Sequence, residues 1–167
     1  NHASEIAAID FFVVPTITFR LIYVFIVMSH ERRYVFHFNV SEAPSARWTG
    51  QQIIEAFPYG TAPGYLLRDR DSIYGKDFLR RVGSMGIEQL VTARKSPWQN
   101  PYLERQIGSV RRECLDHMIV LNECHLRCIL RAYFAYYHES RTHQGLNNDC
   151  PVPRAVEPID AGNVVAE

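Results

Sequence analysis

Apolar residues near the start of the chain fall into three runs. Ile6–Val14, Arg20–Met28 and Tyr34–Val40 are rich in β-branched and aromatic side chains, a composition typical of β-strands. The segments Pro15–Thr18 and Ser29–Arg33 separate these runs and have the composition of turns. Because both connections are short, we predict that the three strands form an antiparallel meander.

A helical period replaces this pattern from Pro44 onward. Pro44 suits a first helical turn, and Pro58 and Gly60 would end the helix. Between them, apolar residues recur with the spacing of one helix face, at Ala46, Ile53, Ile54 and Phe57. We therefore predict one amphipathic helix after the three strands.

The rest of the chain alternates short apolar runs with helical periods. In chain order we predict the strand Gly64–Asp69, the helix Asp77–Ser84, the strand Ile87–Thr92, the loop Lys95–Asn100, a helix that Pro101 opens with Asn100 as its N-cap, and a helix from Asn122 to His138. The order β-β-β-α-β-α-β-α-α favours an α/β domain with one central sheet covered by helices. We assign residues 1–145 to this domain and residues 146–167, which contain prolines, to a tail or linker.

Length and composition fit a single folded domain. The 167 residues are 47% hydrophobic and 22% charged, as in ordinary globular proteins. The most apolar run, Leu21–Met28, has eight residues, whereas a transmembrane helix needs roughly 20. We therefore expect no membrane span. Because the chain begins at Asn1 and not at a methionine, we expect a fragment of a longer protein.

The distribution of charge is more informative than its sum. The net charge is zero, which at first argues against a nucleic-acid partner. However, residues 68–112 carry ten basic and five acidic side chains, whereas residues 1–67 carry four and five, and residues 113–167 carry four and eight. The middle segment is therefore the part of the chain that suits a polyanion.

Asp10 is the carboxylate whose position most needs an explanation. Its neighbours on both faces of the predicted first strand are apolar, so this strand should be central and buried. An unpaired carboxylate there is costly unless a cation or hydrogen bonds stabilise it. A position at a fraying strand end, or a buried Arg or His partner, would explain Asp10 equally well.

Two further acidic residues lie at places where ligand groups often collect. Asp69 ends the fourth predicted strand, although it could also be a solvated turn residue, and Asp71 competes with it. Glu104 lies in the first turn of the helix after Pro101, where the helix dipole alone could favour it. Gly108, one turn later, indicates a close approach, because glycine weakens a helix interior.

In the context of these carboxylates, the sequence resembles the catalytic core of bacterial insertion-sequence transposases and retroviral-type integrases. The motifs that carry the resemblance are IDFF in the first strand, LLRDRDSIYG at the fourth strand's end, SPWQNPYLERQIGSVRRE at the helix start and YYHESRTHQGL near the C-terminus. The resemblance extends from about Ile6 to Pro158. It implies a ribonuclease-H-like fold with a five-stranded mixed sheet.

By position in these motifs, Asp10, Asp69 and Glu104 correspond to the Asp-Asp-Glu triad of the family. The 34 residues between Asp69 and Glu104 give a spacing typical of the family. One motif departs from the family's usual S-D-x-G, because Arg68 precedes Asp69 and Asp71 follows shortly after. This departure leaves Asp71 open as the second ligand, whereas the aligned tyrosine, Tyr74, favours Asp69.

The resemblance implies a polynucleotidyl transferase that cleaves and joins DNA with two Mg²⁺ ions, or Mn²⁺ in their place, held by these three carboxylates. It also implies double-stranded DNA of element ends and target as partner, a homo-oligomer, and a bacterial cytoplasmic location near the nucleoid. The residues placed to contact DNA are Lys95, Trp98, Gln99, Arg105, Arg111 and Arg112. Arg141 and His143 are either structural partners of the C-terminal segment or further phosphate contacts.

Two other functions remain open at the level of sequence. A ribonuclease-H-like nuclease of the same fold would hydrolyse nucleic acid without joining it, although the loop and helix SPWQNPYLER favour a transposase. A non-catalytic DNA-binding remnant of a mobile element would fit the neutral net charge. Intact carboxylates at all three positions argue against such a remnant.

Overall fold

A computed structural model describes residues 3–93 and 99–153, which form a five-stranded sheet with helices on both faces. Lys95, Trp98 and most of the predicted C-terminal tail lie outside the described residues. No helix among the described residues is both long and apolar enough to cross a membrane.

The sheet is mixed, and its strand order is β3-β2-β1-β4-β5. The strands are β1 (Ile6–Pro15), β2 (Leu21–Ser29), β3 (Val35–Ser41), β4 (Tyr65–Arg68) and β5 (Glu88–Val91). The first three pair antiparallel, whereas β4 pairs parallel to β1 and β5 parallel to β4. The predicted meander is therefore confirmed, and β1 is the central strand that its apolar neighbours require.

In the described part of the chain, four α-helices cover the sheet. They are α1 (Ala46–Ala56), α2 (Lys76–Ser84), α3 (Pro101–Glu113) and α4 (Glu123–Glu139). Short 3-10 turns lie at Ala3–Glu5, Pro58–Gly60, Leu115–His117 and Gln144–Leu146. Every predicted strand and helix is present, with ends that differ by at most two residues.

Two details of the predicted helices are wrong. Ser45 caps α1 by accepting the N–H of Trp48, so Pro44 precedes the helix. Ile54 is 38% exposed, because the core face of α1 is completed by buried polar side chains such as Gln52. The predicted N-cap of α3 is confirmed, because Asn100 occupies that position, although its side chain makes no capping hydrogen bond.

The sheet separates two hydrophobic clusters. Side chains of β1 alternate between them: Ala8 and Phe12 join the cluster under α3 and α4, whereas Ala7 and Ile9 join the cluster under α1 and α2. Asp10 continues the row of Ala8 and Phe12 and therefore faces the α3 side of the sheet. This alternation points the one carboxylate of β1 toward the helix that carries Glu104.

Candidate active site

A pocket of about 680 Å³ lies at the end of β4, between β1 and α3. Four carboxylates contribute to its lining, together with two arginines and with backbone and apolar groups. The charged residues of this carboxylate pocket are Asp10, Asp69, Asp71, Glu104, Arg70 and Arg111. The structure thus brings all three members of the predicted triad to one pocket, together with the competing Asp71.

The parallel pairing of β1 with β4 explains why two of these residues meet. Ala8 pairs with Leu67, so the same register continued by two residues sets Asp69 level with Asp10. β4 ends at Arg68, and Asp69 therefore leaves the sheet beside the middle of β1. A longer strand would have kept the second carboxylate within the sheet ladder.

Asp10 has the most perturbed carboxyl group of the pocket. Burial, together with the negative charges of Asp69, Glu104 and Asp71, raises its pKa from the ordinary value of 3.8 to about 7. The Phe11 backbone N–H donates to Asp10 Oδ1 at 2.7 Å, which opposes the rise in pKa. The ionised form of Asp10 therefore needs a cation that the described protein groups do not supply.

The second carboxylate position contains two exposed aspartates. Asp69 acts more strongly than Asp71 on the pKa of Asp10. Asp71 Oδ1 accepts from the N–H of Ile73 and the hydroxyl of Ser72, so these hydrogen bonds hold the Asp71 side chain within the turn that follows β4. Asp69 Oδ1 accepts the Asp71 N–H at 3.1 Å. These contacts favour Asp69 as the carboxylate directed toward Asp10.

The helix α3 supplies the third carboxylate and a cation. Glu104 is exposed in its first turn, and Arg111, two turns later, donates to the carbonyl of Val13 at 3.3 Å. The Arg111 guanidinium also lies 5.6 Å from the ring centre of Phe12. Between them, a side chain on Gly108 would press on the guanidinium of Arg112, 3.0 Å from its ideal Cβ. The close approach predicted at Gly108 therefore comes from the same helix.

The six predicted DNA contacts divide into three groups. Arg111 lines the carboxylate pocket, and Gln99 lies beside it, where its Oε1 accepts the N–H of Ala93 at 2.6 Å. Arg105 lines a different pocket, and Arg112 does not line the carboxylate pocket. Lys95 and Trp98 lie outside the described residues.

Sequence patterns named three residues at this end of the molecule without assigning them a role in the site. Arg68 is only 9% exposed, donates to Gln89 Oε1 and to the Asp69 carbonyl, and lies over the ring of Tyr74. Tyr74 has a buried hydroxyl without a hydrogen-bond partner among the described residues. Asn100, which lines the pocket, has a buried Oδ1 that also lacks a hydrogen-bond partner among the described residues. The unusual Arg before Asp69 was the signal available in the sequence.

The pocket's donor set suits a hard divalent cation. Carboxylate oxygens are the ligands that Mg²⁺ prefers, and a cation would offset the cost of ionising Asp10. Among the described residues, however, no three His, Cys, Asp or Glu side chains are grouped closely enough to hold one ion. The residues present therefore fit a metal in their chemistry and share one pocket, but the carboxylates would have to draw together to bind it.

Comparisons with known proteins agree with this architecture. Residues 85–151 match the family described as the integrase core domain; the match includes α3 with Glu104 and excludes Asp10 and Asp69. A chain of the simian T-cell lymphotropic virus intasome, solved in complex with PP2A regulatory subunit B56 gamma, aligns over 98% of this chain with a TM-score of 0.70 and 11% identity. The protein has the fold of an integrase catalytic core.

A second solved structure has the same fold within a single domain. The HTLV-2 integrase catalytic core domain in complex with magnesium, in a trimeric form, aligns over 89% of this chain and 93% of its own, with a TM-score of 0.68 and 10% identity. The predicted ribonuclease-H-like fold and the resemblance to integrase cores are thus confirmed. This chain spans only 60% of the intasome chain. Among curated proteins, none matches it significantly.

Proposed function

We propose that this protein is the catalytic domain of a DNA transposase or integrase, and that Asp10, Asp69 and Glu104 are its metal-binding carboxylates. The observation that carries the proposal is the buried carboxyl group of Asp10, on the central strand of an integrase core fold, in one pocket with Asp69 and Glu104. An integrase core of the same fold was solved with magnesium, which supports Mg²⁺ as the ion.

Two Mg²⁺ ions bound at such a site would activate the attacking oxygen and stabilise the leaving oxygen of a phosphodiester. The protein groups have simpler tasks. Asp10, fixed in the sheet, provides a rigid ligand, whereas Asp69 and Glu104 are exposed and can adjust to the ions. Arg111, anchored on Val13, supplies a positive charge at the pocket wall for a DNA phosphate.

The partner that we propose is double-stranded DNA, bound by an oligomer of this chain. The neighbour described as an intasome and the dimeric and trimeric forms of the HTLV-2 core support oligomerisation. The excess of basic residues between positions 68 and 112 supports DNA as the polyanion.

Metal binding tests the ligand assignment directly. Calorimetric titration with Mn²⁺, with and without a short DNA duplex, compares wild type with Asp10→Asn, Asp69→Asn and Glu104→Gln. We expect each substitution to weaken binding at least tenfold, since each removes a charged ligand. Asp77→Asn is the matched control, because Asp77 lies on α2 and does not line the pocket. Undiminished binding by Asp69→Asn with loss in Asp71→Asn would assign the second ligand to Asp71.

The reaction itself separates the proposal from its alternatives. A labelled duplex incubated with the protein and Mn²⁺ should show joining of its 3′ end to a second DNA molecule, and Glu104→Gln should abolish joining. Cleavage without joining would instead identify a nuclease of the same fold. DNA binding without either reaction, together with undetectable Mn²⁺ binding, would identify a non-catalytic remnant.

A further inference from the structure

A second, smaller pocket lies on the opposite side of α3 from Glu104 and Arg111, between that helix, the end of α4 and the segment that follows α4. We call it the arginine pocket. The residues that matter for its chemistry are Arg33, Tyr102, Arg105, Gln106, Arg141 and His143. Its volume is about 50 Å³, enough for a few water molecules or for one tetrahedral oxyanion.

The arginine pocket carries positive charge that no described carboxylate neutralises. Arg141 is paired, since it donates to both carboxylate oxygens of Glu113. Arg33 and Arg105 form no ion pair with any described residue. Arg33 is held over the ring of Tyr102, 4.9 Å from its centre. Two guanidinium groups are therefore available to a negatively charged ligand.

His143, which lines this pocket, has a buried ring nitrogen without a hydrogen-bond partner among the described residues. Its Nδ1 lies 3.1 Å from Arg141 Nη1, and because a guanidinium can only donate, Nδ1 must accept and Nε2 must carry the hydrogen. Burial, together with the charges of Arg141 and Arg33, lowers the pKa of His143 to about 4, so the ring is neutral at neutral pH. His143 is 8% exposed, and its Nε2 has no partner among the described residues.

Gln106 presents a second buried donor. The residue is 3% exposed, and its Nε2 makes no hydrogen bond within the described part of the chain. Leaving a buried donor unpaired costs free energy, and native proteins rarely accept two such groups in one place. Two buried N–H donors and two unpaired guanidinium groups around one small cavity are the groups that recognise a phosphate.

Gly145 makes room for one of these cations. A Cβ at this position would overlap the guanidinium of Arg33, although the backbone of Gly145 has no positive φ that would require glycine. The absence of a side chain therefore lets Arg33 lie against the segment that carries His143. This contact gives a way to move the Arg33 charge without removing it.

We propose that the arginine pocket is a binding site for a phosphate group, with Arg33, Arg105, Gln106 and His143 as its donors. The site is separate from the carboxylates, so the proposal stands whether or not those carboxylates catalyse a reaction. Its ligand is a phosphate either of a nucleic-acid backbone or of a free anion.

Side-chain NMR of the ¹⁵N-labelled protein tests the proposal without any reaction. Inorganic phosphate is titrated in the presence of a metal chelator, and then a short DNA duplex is titrated separately. We expect phosphate to shift the side-chain N–H resonances of Gln106 and His143 in a saturable manner. A matching shift with the duplex would identify a backbone phosphate as ligand, whereas a shift with inorganic phosphate alone would identify a free anion.

Variants decide whether the binding is specific. Arg33→Ala and Gln106→Leu should each weaken phosphate binding about tenfold or more, because each removes a donor to a charged ligand. Gly145→Ala should also weaken it, because the new methyl group displaces the Arg33 guanidinium. Arg47→Ala is the control, since Arg47 is an exposed arginine on α1 that does not line the pocket. Melting curves confirm that each variant is folded.

Either of two results would overturn the proposal. One is the absence of any change at Gln106 and His143 with both phosphate and duplex, which would mean that the pocket holds only water. The other is an equal loss of binding in Arg47→Ala and Arg33→Ala, which would mean nonspecific attraction to positive charge.

Discussion

Among single residues, Asp10 has the most costly position, because its carboxyl group is buried beside three other carboxylates. Its pKa of about 7 lies above the ordinary value of 3.8, so the folded state binds this proton more tightly than the unfolded state. Without metal, the stability that Asp10 contributes is greatest below the unfolded pKa and is lost as the pH rises toward 7. Bound Mg²⁺ would remove that cost.

Asp10→Asn should therefore stabilise the metal-free protein. At about pH 8 in a chelator, we expect the free energy of unfolding to rise by about 1–3 kcal/mol relative to wild type, and this gain should shrink toward pH 4. Urea denaturation at several pH values measures it, with Asp77→Asn as the control. A difference that does not change with pH would mean that Asp10 is ionised freely in the folded state. Added Mn²⁺ should stabilise wild type and Asp77→Asn but not Asp10→Asn.

Arg68 is the residue by which this chain departs from the S-D-x-G motif, and its role is structural. Its guanidinium joins Gln89 on β5 to the Asp69 carbonyl and packs on Tyr74. The sequence showed the departure but not its reason, because the partners of Arg68 come from a strand 20 residues later and from the turn after β4.

Arg68→Met should lower the free energy of unfolding by about 1–3 kcal/mol, because it leaves two acceptors without their donor. Arg68→Lys should recover little of this loss, since an ammonium group cannot make both hydrogen bonds while stacking on a ring. Arg80→Met, at an exposed position on α2, is the control in the same urea titration. Full recovery by Lys would show that charge alone matters.

At the scale of elements, a three-residue contact ties α3 to α4 and to the segment that follows. Glu113 at the end of α3 accepts from Tyr133 on α4 at 2.9 Å and from Arg141 after α4. The hydrogen bond from Arg141, followed by that from Tyr133, holds the pKa of Glu113 below its ordinary value despite partial burial. This contact fixes α3, the helix that carries Glu104, against α4 and the segment that follows it.

Because the pKa of Glu113 is lowered on folding, its contribution to stability is present above the unfolded pKa and is lost as the pH falls through the folded value. Glu113→Gln should therefore destabilise the protein by about 1 kcal/mol at neutral pH and by less in acid. Thermal melting across this pH range tests it. Glu55→Gln, at a carboxylate on α1, serves as the control. An equal loss at all pH values would mean that the contact depends on shape and not on charge.

Element boundaries could be predicted because the apolar pattern is strict where a strand or helix faces the core. The three N-terminal strands show this best, since each lies within one residue of its predicted start. Ile54 shows the limit: the pattern counted it as apolar, but buried Gln52, which accepts from Asn39 and contacts His37, completes that face of α1. A polar pair across two elements leaves no mark in the local sequence.

For the whole molecule, the chain order of elements predicted the fold class. The geometry of the site, in contrast, depends on how distant strands pair, which the sequence does not show directly. That β4 lies beside β1, in the register that sets Asp69 level with Asp10, depends on contacts between residues about 60 positions apart. The carboxylate triad was therefore accessible through its motifs, and Arg33, whose pocket partners lie far along the chain, was not.

The two hydrophobic clusters share the sheet, so we expect them to unfold together. Leu130 on α4 is fully buried on one side, and Trp48 on α1 packs against Phe25 and Phe11 on the other. In a Trp98→Phe background, Trp48 is the only tryptophan, so its fluorescence reports the unfolding of the cluster under α1 and α2. Leu130→Ala should lower the free energy of unfolding by about 2–5 kcal/mol, and Trp48 fluorescence should report the whole loss with an unchanged dependence on urea.

A Trp48 transition that stays at the wild-type midpoint, while circular dichroism shows an earlier one, would mean that the α1–α2 side remains folded after the α3–α4 side is lost. In that case Asp10 and Asp69 could stay in place without Glu104, and metal affinity would fall before the strand pairing of β1 with β4 is lost.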